Sequence, residues 1–393
     1  MNVLSLFDGM SCGQQALERS GIKVDNYYAS EIDKYAIKVT MANYPNTIQL
    51  GSVVGVDGYK LPKIDLLIGG SPCQSFSFAG KRKGMATKCE TEILTLEHYL
   101  QLKLEGYEFE GQSYLFWEYM RLLNECKPTY FLLENVEMGE KWEKVLSKAI
   151  GVNGIHINSA LVSAQNRKRI YWTNIGMQPS GLFGDLESII KQPKDKGILL
   201  RDVLENEVDE KYFLSEKMVN CLVNRKKTES YSPCKFEPIE KPFEEKSRTI
   251  NQRIAKMGDA DNYIKIDKKG NIKDNQNKAS TFTAGGNSGG NHSDMDLIVH
   301  NTMPRSGDPK KGGTGHLSRN DGKTYCLDTG NTNAVEIVAM INTSRIRRLT
   351  PIECERLQTV ADNYTNHVSD SQRYRMLGNG WTVDVIAHIF SYL

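Results

Sequence analysis

Short apolar segments alternate with helix-like segments through the first 180 residues, and this alternation limits the fold more than any other feature of the sequence. Residues 13–20 and 33–43 have the spacing of apolar side chains that is typical of helices. Strands that alternate with helices usually form parallel sheets, so we predict an α/β fold with helices on both faces of one sheet. The predicted strands cover residues 3–7, 27–32, 64–68, 130–133, 157–162 and 170–173.

The middle of the chain has a different composition, rich in Lys, Asn, Gly, Asp and Ser from about residue 181 onward. Three short units within it are similar to one another: "KSRTINQRI" from 246, "KASTFTAGG" from 278 and "KTYCLDTGN" from 323. They predict a small, irregular, β-rich domain with long polar loops. The alternative is a set of hairpins that share a composition but no common role.

Regular helical character returns near residue 345. Thr350 followed by Glu353, with Pro351 between them, predicts a helix that begins with a capping box, and the chain ends in an amphipathic helix, "TVDVIAHIFSYL". We therefore expect a first domain at 1–180, a second at 181–344, and a return to the first domain at 345–393. Residues 90–113 interrupt the first domain with a helix-like period and are expected to be an insertion.

The composition excludes several classes of protein. With 39% hydrophobic and 25% charged residues, the chain is typical of globular rather than disordered proteins. Its eight cysteines include no C-x-x-C pair, which argues against a zinc ribbon and against a secreted disulfide framework. No apolar stretch is long enough to span a membrane, and Asp8 precedes any signal-like run. We expect an intracellular protein without a metal site or membrane contact; a net charge of +2 does not decide whether it binds a polyanion.

A glycine loop follows the first predicted strand. In "LSLFDGMSCG", Gly9 and Gly13 precede a helix, an arrangement that lets the backbone approach a ligand closely. Glu31 ends the next strand, where an acid can accept hydrogen bonds from the two hydroxyls of a ribose. The dinucleotide fingerprint G-x-G-x-x-G is absent, and Asp8 fits a cationic cofactor that carries an amino acid, such as S-adenosylmethionine, better than a pyrophosphate.

A cysteine follows the third predicted strand in "IGGSPCQSFS", where Cys73 stands at the edge of the sheet that usually carries reacting groups. Taken alone, such a cysteine is more often a small buried hydrophobe. Glu134, in "YFLLENVEMG", is expected at the same edge. In "SAQNRKRIYW", strand alternation would direct Gln165, Arg167 and Arg169 to one face.

These segments together resemble the motif series of the DNA cytosine 5-methyltransferases. The matching stretches are "LFDGMSCG", "SPCQSFS", "LLENV", "QNRKR", "RRLTPIECERLQ" and "MLGNGWTV", in that order, within residues 1–175 and 345–393. The resemblance implies a Rossmann-like S-adenosylmethionine-dependent methyltransferase sheet, with a β-rich target-recognition domain in the unmatched stretch. "SYLFWEYMRLL" is similar to the animal de novo branch, whereas the overall layout is closer to bacterial and phage enzymes.

The resemblance also implies a mechanism. The Cys73 thiolate would add to carbon 6 of cytosine, so that carbon 5 becomes nucleophilic enough to take the methyl group. Glu134 would hold or donate a proton at ring nitrogen 3, Arg169 would bind the base carbonyl, and Arg167 would orient Glu134. The cytosine would first be flipped out of the duplex, at a cost of a few kcal/mol.

The same resemblance assigns the cofactor site. Phe7, Gly9 and Gly13 would line the pocket together with Asp8, and Glu31 would bind the ribose. Ile32 would pack on the adenine and Asn379 would lie near the methionine end. At Ser52, in "GSV", the family pattern usually has an acid that contacts the adenine amino group; a serine can still accept that hydrogen bond.

Contacts with double-stranded DNA are expected from two regions. The loop after Cys73 would close over the substrate and bring a basic run to the phosphates, although such a run is more often a solvated face. Threonines of the recognition domain would frame the flipped base. The expected substrate or DNA residues are Pro72, Gln74, Lys81, Arg82, Lys83, Asn135, Gln165, Thr281 and Thr283.

Three alternatives remain open at this point. The same chemistry could act on RNA cytosine, although the family branch that modifies transfer RNA has Phe-Thr after its Pro-Pro-Cys, where this chain has Gln-Ser. A catalytically inactive DNA-binding homologue would not need Cys73, Glu134 and Arg169 together. A nicotinamide oxidoreductase would leave the Pro-Cys pattern unexplained. We expect a monomer from a prokaryote or phage, with a cognate restriction endonuclease as a further candidate partner.

Overall fold

The computed structural model describes residues 1–72, 85–89, 91–180, 185–213 and 345–393, together with four short strands at 264–266, 295–301, 317–319 and 333–339. Its main feature is a seven-stranded sheet with the order β3-β2-β1-β4-β5-β7-β6. The strands are β1 (Asn2–Leu6), β2 (Asn26–Ser30), β3 (Ile48–Gln49), β4 (Leu66–Gly70), β5 (Tyr130–Val136), β6 (Ile155–Asn158) and β7 (Lys168–Thr173).

The first five strands of this sheet are parallel, and β7 runs antiparallel to both β5 and β6. The predicted α/β fold with a mostly parallel sheet is therefore confirmed. Most predicted strands lie within two residues of the observed ones at their first residue. The segment predicted at 157–162 is displaced, because the Asn158 side chain accepts a hydrogen bond from Ala160 N and starts a helical turn there.

Helices cover the sheet and connect its strands. They are α1 (Cys12–Arg19), α2 (Lys34–Asn43), α3 (Leu96–Leu104), α4 (Phe116–Cys126), α5 (Glu140–Ile150), α6 (Pro351–Leu357), α7 (Asp370–Asn379) and α8 (Val383–Phe390). The helix-like period predicted within 90–113 corresponds to α3, which Thr95 caps by accepting from His98 N. Among the helices that the structure describes, none is long and apolar enough to cross a membrane.

The strands are apolar on both faces because each face packs on its own helical layer. Val3 and Ile68 belong to one buried cluster, which also includes Ile386 of α8. Leu4 and Leu67, the neighbouring residues in sequence, belong to a second cluster with Trp117 of α4. Successive side chains of a strand point to opposite faces, so continuous apolar strands are what a sheet covered on both sides requires.

The C-terminal segment begins as the sequence predicts. Thr350 Oγ1 accepts from Glu353 N at 3.2 Å, Glu353 Oε2 accepts from Thr350 N at 2.8 Å, and Pro351 is the first residue of α6. The predicted capping box is confirmed. At the other end of this segment, α8 packs on α1, where Arg19 Nη1 donates to Asp384 Oδ1 at 2.5 Å.

The described residues after β7 begin with a hairpin of β8 (Met177–Ser180) and β9 (Asp185–Ser188). Buried residues between 190 and 212, including Ile190, Leu200 and Tyr212, belong to the cluster of Val3 and Ile68. Residues up to 213 thus pack with the main sheet, beyond the composition change at 181. The three similar units that begin at 246, 278 and 323 lie outside the described residues.

Five further strands are described between 264 and 347: β10 (Ile264–Ile266), β11 (Met295–Asn301), β12 (Leu317–Arg319), β13 (Asn333–Ala339) and β14 (Arg345–Arg347). β11 pairs antiparallel with β12 and β13, and β10 pairs antiparallel with β14. The described residues in this part of the chain therefore form short antiparallel strands, as its composition predicts.

Candidate active site

The candidate site lies where the C-terminal ends of β1, β4 and β5 meet. The strand order changes direction between β1 and β4, and open α/β sheets bind their ligands at such a point. In the register of the sheet, Gly70 at the end of β4 pairs with Glu134 of β5, and Leu6 at the end of β1 pairs with Ser30 of β2. The predicted cofactor and catalytic segments therefore converge on one edge.

Ser71 and Pro72 are the last described residues before the predicted nucleophile, and Pro72 is partly buried at this edge. The roles assigned to the loop that follows stay predictions. The predicted site residues outside the described part of the chain are Cys73, Gln74, Lys81, Arg82, Lys83, Thr281 and Thr283.

Glu134 forms an ion pair with Arg169. The Arg169 Nε atom lies 2.8 Å from Glu134 Oε1, and the two side chains are only 7% and 10% exposed. The sheet brings them together, because Arg169 of β7 pairs with Val136, two residues after Glu134. A nearly buried carboxylate and guanidinium at a strand end can hold a polar ring by hydrogen bonds from both sides.

Gly70 is required next to this pair because no side chain fits there. A Cβ atom at residue 70 would lie 2.8 Å from Trp381 Nε1 and 3.2 Å from Glu134 Oε2. Trp381 thus covers the end of β4 beside the carboxylate. Trp381 lies in "MLGNGWTV", but the sequence predicts no role for it. Its contact with a glycine in a distant strand produces no pattern in the sequence around either residue.

Arg167 is buried, and its described contacts are made with the turn between α7 and α8. Its Nη2 atom donates to Gly380 O at 2.8 Å and its Nη1 atom to Gly378 O at 3.4 Å. Arg169 is the residue paired with Glu134, and the role of Arg167 in orienting Glu134 stays a prediction. Strand alternation does not determine the direction of Arg167, because β7 begins only at Lys168.

Two further predicted residues are buried rather than open to a substrate. Asn135 Nδ2 donates to Ser71 Oγ at 3.0 Å, so this side chain supports the segment that leads to Pro72. Gln165 is fully buried, and neither of its side-chain amide atoms has a hydrogen-bond partner among the described residues.

The turn after β1 has the backbone shape of a ligand-binding loop, with φ of 58° at both Phe7 and Gly9. Asp8 lies between them but points inward, where its carboxylate accepts from Tyr27 OH and Ser11 Oγ, both at 2.7 Å. Burial raises the pKa of the Asp8 carboxyl to about 6 despite these hydrogen bonds. Its side chain is therefore part of the internal support of the loop.

Glu31 joins the first loop to the second. Its Oε2 atom accepts from Gly9 N at 2.8 Å, and its Oε1 atom accepts from Ile32 N at 2.7 Å and Asp33 N at 2.8 Å. These backbone groups fix the carboxylate at the edge; Oε1 already accepts two hydrogen bonds, whereas Oε2 keeps a second lone pair for a ligand. Ile32, beside it, is 70% exposed, which is unusual for an isoleucine and suits contact with a flat apolar ligand.

The remaining predicted cofactor residues fall into two groups. Gly13 is needed for packing, since a Cβ atom there would lie 2.4 Å from Ile68 Cδ1 and 2.8 Å from Tyr27 OH. Ser52 and Asn379 are exposed, Ser52 directly after Gly51 (φ 74°) and Asn379 at the end of α7.

Comparison with known proteins identifies the family. The sequence profile of the C-5 cytosine-specific DNA methylases matches residues 1–393. The chain belongs to this family. Its predicted family and enzyme class are thereby confirmed: it is a DNA cytosine methyltransferase.

Similar proteins come from phages and bacteria. The orphan methyltransferase M.SPRI of Bacillus phage SPR is 28% identical over 480 aligned positions, covering 100% of this chain and 97% of that protein. The type II methyltransferase M.HgiCI of Herpetosiphon aurantiacus is 27% identical, covering 96% of this chain and 93% of its own length. The predicted similarity to bacterial and phage enzymes is confirmed.

Solved structures support the same fold. The Entamoeba histolytica methyltransferase EhMeth is 13% identical with a TM-score of 0.57, covering 100% of this chain and 97% of that one. A Spodoptera frugiperda DNMT2 mutant is 16% identical with a TM-score of 0.53, covering 100% and 98%. At these identities the likeness concerns the fold alone.

Proposed function

We propose that the protein transfers the methyl group of S-adenosylmethionine to carbon 5 of a cytosine that is flipped out of double-stranded DNA, through a covalent bond between Cys73 and carbon 6. The observation that carries this proposal is the Glu134–Arg169 ion pair, held in register with Gly70, three residues before Cys73. Addition of a thiolate to a cytosine ring requires a carboxyl group and a cation, both shielded from water, next to the strand end that leads to the thiol.

The reaction proceeds by addition to the ring, methyl transfer and elimination. The Cys73 thiolate adds to carbon 6, and the electron pair of the carbon 5–carbon 6 double bond moves toward carbon 5. S-adenosylmethionine, held by Glu31 and Ile32, would supply the methyl group to carbon 5 and keep the electron pair of its methyl–sulfur bond on sulfur. A base removes the carbon 5 proton, the double bond re-forms, and Cys73 leaves as a thiolate.

Glu134 and Arg169 act on the opposite edge of the ring. Addition of the thiolate moves negative charge toward ring nitrogen 3 and the carbonyl oxygen. Glu134 holds a proton at nitrogen 3, and the Arg169 guanidinium stabilises the charge at the carbonyl. Because both side chains are nearly excluded from water, each hydrogen bond is stronger there than at an exposed surface.

The cofactor site is proposed at the two loops that Glu31 joins. When bound, S-adenosylmethionine supplies a methyl group on a sulfonium. The residues present fit it: Glu31 Oε2 can accept from a ribose hydroxyl, Ile32 offers an exposed apolar face to the adenine, and the turn at Phe7–Gly9 lets the backbone approach the cofactor closely. Ser52 would bind the adenine amino group and Asn379 would lie near the methionine end.

On the DNA side, we propose that residues 181–344 hold the target-recognition domain, between a catalytic domain at 1–180 and its return at 345–393; the buried residues between 190 and 212 pack with the catalytic sheet, so the separate unit would begin after them. Antiparallel strands at 264–266, 295–301, 317–319 and 333–339 support a separate β-rich unit there. Thr281 and Thr283 would frame the flipped base, and the basic run at Lys81–Lys83 would meet phosphates. We further propose a monomer; a cognate restriction endonuclease reading the same site is the partner to look for.

The test is to incubate the purified protein with S-adenosylmethionine and unmethylated plasmid, in parallel with a transfer RNA pool, and to map modified cytosines by bisulfite sequencing. The expected result is carbon 5 methylation within one short DNA motif, abolished by Cys73→Ser with cofactor binding retained. Modification of RNA alone would overturn the substrate, and normal turnover by Cys73→Ser would overturn the mechanism.

A further inference from the structure

The Ser52 loop is defined here as residues 50–60, between β3 and β4. It contains the proposed adenine contact but no strand and no long helix. It contains two short helical turns, and the Ser52 side chain does not cap the turn that it begins. A Cβ atom at Gly55 would meet no atom within 4 Å. Val53 and Val56 bury their side chains in the cluster of Leu4 and Leu67, and Ser30 Oγ donates to Gly51 O at 2.8 Å, so contacts with the rest of the protein hold this loop in place.

Arg121 of α4 supplies one such contact. Its Nη2 atom donates to Val53 O at 3.1 Å, directly after Ser52. The same guanidinium donates from Nη1 to both carboxylate oxygens of Glu125 at 2.8 Å, and from Nε to Glu118 Oε2 at 2.8 Å. A planar fork held by two carboxylates has little freedom, so it fixes the carbonyl that it binds.

Glu125 holds the other end of the loop. Its Oε2 atom accepts from Gly58 N at 2.8 Å. The approach is close, since a Cβ atom at residue 58 would lie 2.7 Å from Glu125 Cβ. One turn of α4 thus grips the Ser52 loop at two points, a carbonyl and an amide five residues apart.

Glu118 anchors this arrangement in the protein interior. Its side chain is fully buried and accepts from Tyr99 OH and Lys103 Nζ, both at 2.5 Å, in addition to Arg121. The carboxylates of Glu118 and Glu125 are balanced by the positive charges of Lys103 and Arg121. A carboxylate as buried as that of Glu118 needs such paired charges. Tyr99 and Lys103 belong to α3, so the insertion at 90–113 contributes to the anchor.

We infer that Arg121 is a positioning residue for cofactor binding, which sets the place of the Ser52 loop and thereby the affinity for the adenosine end of S-adenosylmethionine. This inference rests on the proposed cofactor site. Since the reacting methyl group is at the other end of the cofactor, loss of Arg121 should raise the KM for S-adenosylmethionine and leave kcat at saturation unchanged.

The experiment measures the Kd of S-adenosylhomocysteine and the steady-state constants for Arg121→Met. The matched control is Arg356→Met, because Arg356 also joins a carboxylate, Asp362, to a main-chain carbonyl, Val203 O at 3.1 Å. Arg356 lies on α6, whose buried residues belong to the cluster of Val3 and Ile68, whereas the valines of the Ser52 loop belong to the other cluster. Arg121→Met should raise Kd and KM by about five- to thirtyfold, and the control should leave both unchanged. Equal effects from the two variants would mean a merely structural role and overturn the inference.

A double-mutant cycle tests whether Arg121 acts through the loop. If it does, Ser52→Ala should weaken binding in the wild-type background and add little in the Arg121→Met background, since distant and independent sites would add. Additive effects would overturn the inference. Glu31→Ala serves as the reference for the cofactor site. If Glu31→Ala leaves the Kd unchanged, the proposed cofactor site is wrong. If Glu31→Ala weakens binding but Arg121→Met binds as tightly as the wild type, only the positioning role of Arg121 is refuted.

A conservative variant keeps the test valid if Arg121→Met fails to fold. Arg121→Lys retains one positive charge between Glu118 and Glu125 but cannot donate to both carboxylates and to Val53 O at once. It should keep the thermal unfolding midpoint close to that of the wild type while still raising the KM for the cofactor. A wild-type KM in a folded Arg121→Lys protein would overturn the inference.

Discussion

Gly70→Ala is the perturbation whose effect follows most directly from the geometry. The added Cβ atom would lie 2.8 Å from Trp381 Nε1 and 3.2 Å from Glu134 Oε2, both inside ordinary contact distances. The indole and the carboxylate must then move apart by several tenths of an ångström. Overpacking of this kind costs about 1–3 kcal/mol of folding stability.

The catalytic cost should exceed the loss of stability. Glu134 is one of the groups that the proposed mechanism places on the ring, and a misplacement of about 1 Å can cost roughly 100-fold in rate. We therefore expect kcat/KM to fall by about 10- to 100-fold at a temperature where the variant is still folded. Urea unfolding gives the stability and transfer of a labelled methyl group to DNA gives the rate.

The matched control is Gly139→Ala, where an added Cβ atom meets nothing within 4 Å and φ is −66°. It should remain close to the wild type in both assays. If Gly70→Ala methylates DNA within twofold of the wild-type rate and unfolds at the same urea concentration, the close approach of Trp381 and Glu134 to β4 is wrong.

Three further predictions concern single side chains. Arg169→Met should lower kcat by about 100- to 1,000-fold, because it leaves the Glu134 carboxylate unpaired and the carbonyl of the base without a hydrogen-bond donor. A rate within tenfold of the wild type in the methyl-transfer assay would contradict this role. Glu31→Ala should raise the Kd of S-adenosylmethionine in calorimetry, and an unchanged value would remove this residue from the ribose. The pKa of the Asp8 carboxyl is raised to about 6 by burial, so the stability that it contributes in its protonated form is complete below about pH 4 and lost as pH rises through 6. Urea unfolding of the wild type and of Asp8→Asn gives the free energy of unfolding of each. Between pH 4 and pH 7 the wild type should lose about 3 kcal/mol of this free energy relative to Asp8→Asn. A difference that stays constant with pH would contradict the raised pKa.

The sheet could be predicted from the sequence because its signals are local. Each signal lies within a single strand, turn or helix: apolar runs of four to six residues, glycine turns, and the capping box of Thr350 and Glu353. The structure contains the strands and the helix that these signals predict. The strand predicted at 157–162 ends early, at Asn158, for an equally local reason: the Asn158 side chain starts a helical turn whose capping hydrogen bond competes with the strand.

The site was predicted less completely because several of its contacts join distant parts of the chain. Glu134 was assigned to the correct strand end, but its partner depends on the register between β5 and β7. Trp381 covers a glycine more than 300 residues away, and Arg121 grips a loop through a main-chain carbonyl. Asp8, by contrast, was expected to face the cofactor for its charge, whereas burial against Tyr27 and Ser11 directs it inward.

The central claim is the covalent bond between Cys73 and a flipped cytosine, and trapping it is the most direct test. DNA with 5-fluorocytosine at the mapped target, incubated with the enzyme and S-adenosylmethionine, cannot release the thiol, because the carbon 5 position has no proton to lose. The account predicts a denaturant-stable protein–DNA adduct whose peptide map carries the nucleotide on Cys73. An adduct on another cysteine, or methylation of ordinary cytosine without any trapped adduct, would contradict it.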